Sequence, residues 1–304
     1  MSHPDTLQGG VLGVVLPNIA YALPAYPCRV LASGAITFAS TVGGSYSTLT
    51  GATAEPGVLV SGGFIKSSSA VQTRLVICKK IIQINKTYAN LVGRSNPLSY
   101  WRFGESSGST NYDAVARNHL TKGSGVTLAQ PGPLGDGNYA VLLDGTINGQ
   151  SQVAALNSWN GQAAISFEAW VYNAAWSVSH EMVVCCGNVG IYLSVEGGKP
   201  IMSIHTGTQL TNKALVAISA NAWHHLACTW ASGEQLRVYV DGVEVAGDNN
   251  TTRTGTLSSS ASLYVGSFGG TALFFSGIVD EVAVYLRKLT AAEISNHYGA
   301  RLVV

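Results

Sequence analysis

Few residues in this chain are able to do chemistry, and their spacing restricts what they can do. Two neighbouring carboxylates, Asp280 and Glu281, stand inside the apolar run 275–285, and a third, Glu168, inside the run 165–172. Cleavage of a glycosidic bond needs two carboxyl groups flanking the scissile bond, one as acid and one as nucleophile or base. Adjacent side chains of a strand point to opposite faces. Asp280 and Glu281 are therefore expected to part, and Glu168 to stand alone. Whichever of Asp280 and Glu281 is buried needs a hydrogen-bonded partner or a metal. The pair His224-His225 after Trp223 has no HExxH context and no Cys/His ligand spacing, so both read as structural histidines. Cys185-Cys186 should likewise diverge. With Cys28, Cys78 and Cys228 they make five thiols that cannot all pair, and they are expected as buried free thiols of a protein made in a reducing compartment. A GxSxG elbow, a phosphate loop and a dinucleotide fingerprint are all absent from the sequence. The expectation is a protein that is not an enzyme.

These residues are carried by a chain of β-type composition. Charged residues make up only 11% of 304, against 46% apolar, with 35 glycines. Such a Gly-, Ser-, Thr- and Val-rich chain reads as strands joined by tight turns. Net charge is +1 and no basic run exceeds Lys79-Lys80, which excludes electrostatic capture of nucleic acid. No apolar run reaches the roughly 18 residues of a membrane span, so no membrane insertion is expected. The first charge is Asp5, and Gly9, Gly10 and Gly13 break the opening apolar stretch, so no secretory signal is read.

Two regions follow. Residues 1–85 contain short strand-like runs (28–31, 35–38, 57–60 and 74–78) separated by turn clusters such as Gly43-Gly44-Ser45. They predict a small β-domain, preceded over 7–22 by an extended arm able to add a strand to a neighbour. Residues 86–304 open with one or two helical turns over 87–94, before Pro97. They continue as strands, with a hairpin at Asp241-Gly242 that places Leu236, Val238 and Val240 on the core face and Arg237 and Tyr239 outward. Thr290 with Glu293 is a capping box, predicting a helix to about Tyr298.

The segments 88–92, 97–105 (Pro-Leu-Ser-Tyr-Trp-Arg-Phe-Gly-Glu), 141–145, 165–172, 223–227, Asp241-Gly242 and 275–285, in that order, resemble the laminin-G-like family of concanavalin A-type jelly rolls. The resemblance covers about residues 88–302 and implies an all-β, two-sheet antiparallel jelly-roll sandwich with a short C-terminal helix behind the small N-terminal β-domain. Trp101, Trp170, Trp223 and Tyr285 are expected to fill the space between the sheets.

The resemblance also bears on ligands. The family often carries a Ca²⁺ that pins loops at the sandwich edge, and oxygen donors are what calcium requires. The candidate ligands are Asp113 and Asn118, in the loop after the first strand, and Asp280; no cofactor is expected to be required. The run Ala114-Val115-Ala116-Arg117 replaces the family's small polar residues, so the competing expectation is plain loop capping by Asp113 and a buried, hydrogen-bonded Asp280. Glycan candidates are Trp159 with Asn157 and Asn160, Trp176 with His180, and Asp248-Asn249-Asn250 with Arg253. The function expected is that of a non-enzymatic virion protein, of the capsid-decoration or fibre type in a phage. Residues 1–85 would attach to other virion proteins, the chain would form a homo-oligomer, and the jelly roll would meet cell-surface polysaccharide or stabilise the particle. The alternative is a bacterial surface or exported adhesin, with a glycoside hydrolase third.

Overall fold

The computed structural model describes residues 87–302, apart from 154–155, 157, 188–189 and 260–261, and the backbones of six strands within residues 11–80. The chain divides into two compact units, Met1–Asn85 and Lys86–Val304. In the first unit the six strands form one antiparallel sheet, ordered Val11–Val15, Arg74–Lys80, Ala20–Leu31, Leu59–Ser67, Ile36–Ala39 and Ser47–Leu49. Within the segment expected as an arm, Val11–Val15 is a strand that pairs inside its own unit, Val11 opposite Ile77 and Val15 opposite Arg74.

The second unit is a sandwich of two antiparallel sheets. The first sheet runs Val126–Pro131, Tyr139–Asp144, Ser276–Tyr285, Ala164–Tyr172, Trp223–Ala231, Arg237–Val240, Val243–Val245, and Ser99–Trp101 also pairs with Ser276–Tyr285. The second runs Gln209–Lys213, Lys199–His205, Ile191–Glu196, His180–Cys186, Leu263–Val265, Ser151–Val153, Leu120–Lys122, Thr110–Asn111. Alternation sorts each strand. Ile165, Phe167, Ala169 and Val171 face Leu193, Val195, Met202 and Ile204 in the core between the sheets.

Every residue from Ile165 to Val171 is buried, so the outer face of the first sheet is covered as well. Two helices cover it, α1 (Tyr88–Arg94) and α2 (Ala291–Gly299). Tyr88, Val92, Leu289 and Ile294 pack there against Tyr100, Trp170, Tyr239 and Tyr285. Of the four aromatics expected between the sheets, only Trp101 lies there; Trp170, Trp223 and Tyr285 belong to this layer beneath the helices. Tyr239 does point outward from its hairpin, yet it is buried because α2 reaches that turn. Asp241 (φ 50°) and Gly242 (φ 79°) both take the left-handed conformation that a two-residue hairpin turn demands. The Thr290 hydroxyl accepts from the Glu293 N–H and the Glu293 carboxylate accepts from the Thr290 N–H, the reciprocal cap that starts α2.

One local irregularity decides the fate of the carboxylates. Opposite the strand Ala164–Tyr172, Glu168 pairs with Ala283 and Trp170 with Asp280, so Ala169 faces two residues, Glu281 and Val282. This is a β-bulge, and Glu281 adopts φ 51° to accommodate the extra residue. Val279 and Val282 can then both reach the core. Asp280 and Glu281 turn together to the outer face, beside Trp170 and Tyr100 respectively. The expectation that they part to opposite faces fails because alternation does not survive a bulge.

Candidate functional site

Two polar centres lie buried on the helix-covered face. In the first, Glu168 Oε2 accepts from His297 Nδ1 at 2.9 Å and His225 Nε2 at 3.2 Å, and its Oε1 accepts from the Tyr285 hydroxyl. His297 continues to Ser95 Oγ at 2.9 Å. Burial alone would favour protonated Glu168, but the two imidazoles outweigh it and hold the carboxyl well below its usual range. In the second, Glu281 accepts from the Tyr100 hydroxyl and from Arg102 Nη2 at 3.0 Å, and Arg102 reaches Asp136 at 2.6 Å. Asp280 Oδ1 accepts the Glu281 N–H at 2.8 Å. Here burial prevails, pushing Glu281 up to about 7, while burial and then the Glu281 charge raise Asp280. A Cβ on Gly132 would come within 2.8 Å of Asp280 Oδ2, so glycine lets the 132–138 loop lie directly on the carboxylate. Glu168 and Glu281 are 0% exposed and Asp280 is 1% exposed. An acid pair so enclosed holds the helices and the loop in place and presents nothing to a sugar ring.

The expected calcium ligands do not form a site. Asp113 Oδ1 accepts the backbone N–H of Tyr100 (2.9 Å) and Val115 (3.0 Å), and Oδ2 that of Asn118 (2.9 Å) and Arg117 (3.3 Å). All its lone pairs serve the loop. Asn118 Nδ2 donates to Ser99 Oγ at 2.6 Å. Asp280 serves the bulge. No group of three or more His, Cys, Asp or Glu side chains able to hold a metal occurs among the described residues. The donor set present does not fit calcium.

The glycan candidates separate by burial. Trp159 is 0% exposed in the core between the sheets, so it cannot be a sugar platform. Asn160 accepts the Ser259 N–H at 3.3 Å, and Asn157 lies outside the described residues. Asn249 caps an edge: its Nδ2 donates to Thr211 O (2.9 Å) and its Oδ1 accepts from Thr251 N (3.0 Å). Asn250 is exposed and offers its carbonyl to Gln235, and Arg253 donates to Thr208 Oγ1 at 2.8 Å. Asn249 thus lies on the border strand Gln209–Lys213 and Arg253 on Thr208 just before it, while Asn250 faces Gln235.

Trp176 and His180 go to different faces: the Trp176 ring packs against the core between the sheets, 6.3 Å from Phe275, whereas His180 lies on the outer face of the second sheet. The loop carrying Trp176 is tied down by Glu181, which accepts from Ser177 N at 3.0 Å and Asn173 Nδ2 at 3.2 Å. It is knitted to its neighbours by Gly197 N to Ser177 O (2.7 Å), Asn221 N to Asn173 O (2.8 Å) and Trp176 Nε1 to Ser219 O (3.1 Å). Val178 and Val216 stand exposed beside it.

His180 begins an aromatic row on the outer face of this second sheet. Its ring meets Tyr192 edge-on at 6.4 Å, and Tyr192 meets Phe268, from the 266–272 loop, at 6.2 Å. Beside the row, Gln209 Nε2 donates to Tyr192 Oη (3.2 Å) and Ser203 Oγ (3.0 Å). Glu196 takes Lys213 Nζ at 2.8 Å and His180 Nε2 at 3.0 Å, and the hydrogen bond from Lys213 keeps it below the ordinary carboxylate range. Half-buried His180 and Phe268 with an exposed Gln209, over the buried Tyr192, form the candidate site. Its chemistry is stacking and hydrogen bonding, with no free acid–base pair. Sequence reasoning missed Tyr192, Gln209 and Phe268. The alternation Ile191-Tyr192-Leu193-Ser194-Val195-Glu196 could have found the first of them, since it sends Tyr192, Ser194 and Glu196 to one face.

Comparison with known proteins agrees with this architecture. Residues 144–295, half of the chain, match the concanavalin A-like lectin/glucanases superfamily. The chain belongs to that superfamily. No curated protein sequence matches this superfamily member significantly. Among solved structures it is similar to the binding domain of Paraclostridial Mosquitocidal Protein 1 (TM-score 0.54, 16% identity, 67% of this chain and 52% of that one). It is also similar to the receptor binding domain of botulinum neurotoxin type G (TM-score 0.51, 15% identity, 67% and 51%). The match thus spans about half the length of each of those chains, and at such identities the likeness is one of fold.

Proposed function

We propose that residues 86–304 form a non-enzymatic glycan-binding domain, with its ligand on the outer face of the second sheet around Phe268, His180 and Gln209. One observation carries the choice of binding over hydrolysis: the carboxylates of the helix-covered face, Glu168, Asp280 and Glu281, are sealed from solvent and engaged by other groups. Membership of a lectin/glucanase superfamily supports a sugar as ligand. The half-buried rings of Phe268 and His180 and the exposed amide of Gln209 are of the kinds that stack on sugar rings and bond their hydroxyls. In this reading residues 1–85 fix the domain to a larger assembly, a virion of the decoration or fibre type. The low charge and the buried free thiols Cys185, Cys186 and Cys228 support assembly in a reducing compartment. A second reading, an exported or surface adhesin, draws on the likeness to toxin binding domains.

The test is a glycan array and a reducing-sugar release assay on the purified full chain. The expected result is binding without product, weakened about tenfold by Phe268→Ala or Gln209→Ala, the loss of one stacking or hydrogen-bonding anchor. Release of sugar from a bound polysaccharide overturns the non-enzymatic assignment. Binding indifferent to both substitutions overturns the site. Electron microscopy of purified particles distinguishes the two settings, since an adhesin is absent from them.

A further inference from the structure

The run Ala114-Val115-Ala116-Arg117, which makes this loop unsuited to calcium, ends in a cation. Asp113 Oδ2 accepts the Arg117 N–H at 3.3 Å and Ala116 takes φ 58°, so a clamped turn presents the Arg117 side chain. That guanidinium is exposed, and among the described residues no hydrogen bond or ion pair engages it. It lines a cleft of about 130 Å³ together with Asn96, Pro97, Leu98, Leu286 and Arg287. An unpaired arginine on a convex surface would be unremarked; this one stands on a void.

The walls of the cleft are fixed. Asn96 (φ 57°) turns the chain from the end of α1 into Pro97. The Leu98 N–H donates to Val284 O at 2.7 Å, which joins that segment to the strand leading into Leu286. Arg287 spends all five of its N–H groups inside the protein. Its Nε and Nη2 donate to Ser95 O at 3.0 and 2.8 Å. Its Nη2 and Nη1 hold Glu293 at 2.6 and 3.1 Å, and Nη1 also meets Lys288 O at 3.3 Å. Arg287 is therefore a wall, and Arg117 is the free set of donors. No carboxylate lines the cleft. Glu293 is committed to Arg287, and Asp113 to the backbone of its loop.

These groups restrict the occupant. One uncompensated guanidinium calls for one negative charge, and a phosphate dianion would keep a charge unpaired. The planar fork of arginine meets a carboxylate at two points. Pro97, Leu98 and Leu286 give apolar contact to a compact body, and the exposed Asn96 adds a side-chain amide at the rim. The space takes one small ring and not the face of a macromolecule. We propose that this cleft is a second ligand site, binding a hexuronic acid residue with its carboxylate on Arg117. The carboxylate follows from the cleft alone; the sugar rests on the reading of the domain as glycan-binding.

The test is an NMR titration of the full chain with glucuronate, glucose, glucose 6-sulfate and butyrate. Glucuronate is expected to move the Arg117 Nε–H signal and the backbone amides of Leu98 and Arg117 in the millimolar range, less so as salt is added. Glucose should leave them in place. Arg117→Gln should weaken glucuronate binding about tenfold or more, read at the same backbone amides, and Arg117→Lys should fall between. Because the Arg117 side chain makes no bond in the protein, an unchanged Tm verifies that both variants keep the fold. Equal shifts with glucose, no shift with glucuronate, or unaltered affinity in Arg117→Gln overturns the proposal. Tighter binding of butyrate or of glucose 6-sulfate overturns the choice of a uronate. The signals read here belong to this cleft, so a failure here is distinct from a failure of the Phe268 and Gln209 site on the glycan array.

Discussion

Glu168 draws its three side-chain partners from 57, 117 and 129 residues away in sequence, on two other strands and on α2. A carboxylate that appears isolated on its own strand is thus the hub of the helix-covered layer. Nothing local in the sequence announces it, because the contacts exist only once the sheet and both helices are assembled. Removing the charge leaves His297, whose pKa this carboxylate raises against the opposing effect of burial, without its counter-ion. Breaking such a buried pair costs about 3–5 kcal/mol. Glu168→Gln should lower unfolding stability by that amount in urea titrations. Trp159 makes the opposite point. Asn157 and Asn160 beside it make it a glycan candidate in the sequence, but the ring turns inward, and Trp159→Ala should cost about 3–5 kcal/mol through the cavity it leaves. At a temperature where the variant stays folded, glycan affinity should match wild type. A loss of affinity there would return Trp159 to the binding surface.

At the level of elements, what sequence reveals is what short-range chemistry controls. The Asp241-Gly242 turn, the α2 capping box and the short α1 are each fixed by residues within a few positions of one another, and each occurs where the sequence places it. The pairing of Cys185 with the outer face and Cys186 with the core follows just as directly from strand alternation. The bulge at Glu281 does not, because it depends on how Ala164–Tyr172 counts against Ser276–Tyr285, two segments more than a hundred residues apart. With it went the placement of the carboxylates, and so part of the candidate chemistry. The aromatic face of the second sheet was half legible: alternation marks Tyr192, but Phe268 arrives from a loop. The cap gives the prediction at this scale. Thr290→Ala removes one reciprocal hydrogen bond and should destabilise by about 1 kcal/mol, with faster amide exchange confined to α2. Exchange that quickened equally across the second sheet would show that α2 is not a separable element.

For the molecule as a whole, the two faces of the sandwich have different work. One is closed by helices over buried ionisable groups and the other carries the proposed ligand site. The closed face makes stability depend on pH, with a sign that the individual shifts determine. Asp280 and Glu281 are raised, by burial first, so their contribution is complete below the ordinary carboxylate range and declines as pH climbs from about 4.5 through the Glu281 value of about 7. His297, raised by Glu168 over the opposing burial, adds a loss that begins near its ordinary value of 6.5 and runs upward. Glu168 is depressed, so its contribution is complete above 4.5 and disappears as pH falls below it. The Tm measured by circular dichroism should therefore peak near pH 5, fall towards pH 8, and fall again below about pH 4. The two limbs have separate origins. Glu281→Gln, which mimics the protonated form, should flatten the decline between about pH 5 and 7 and leave the acid limb intact. Glu168→Gln should instead make the acid limb shallower, leaving the part due to Glu293, which its hydrogen bond from Arg287 holds at about 2. A Tm that rises steadily from pH 5 to pH 8 in wild type would mean that the 132–138 loop admits solvent to Asp280 and Glu281, and an acid pair open to water would put hydrolysis back among the activities of this fold.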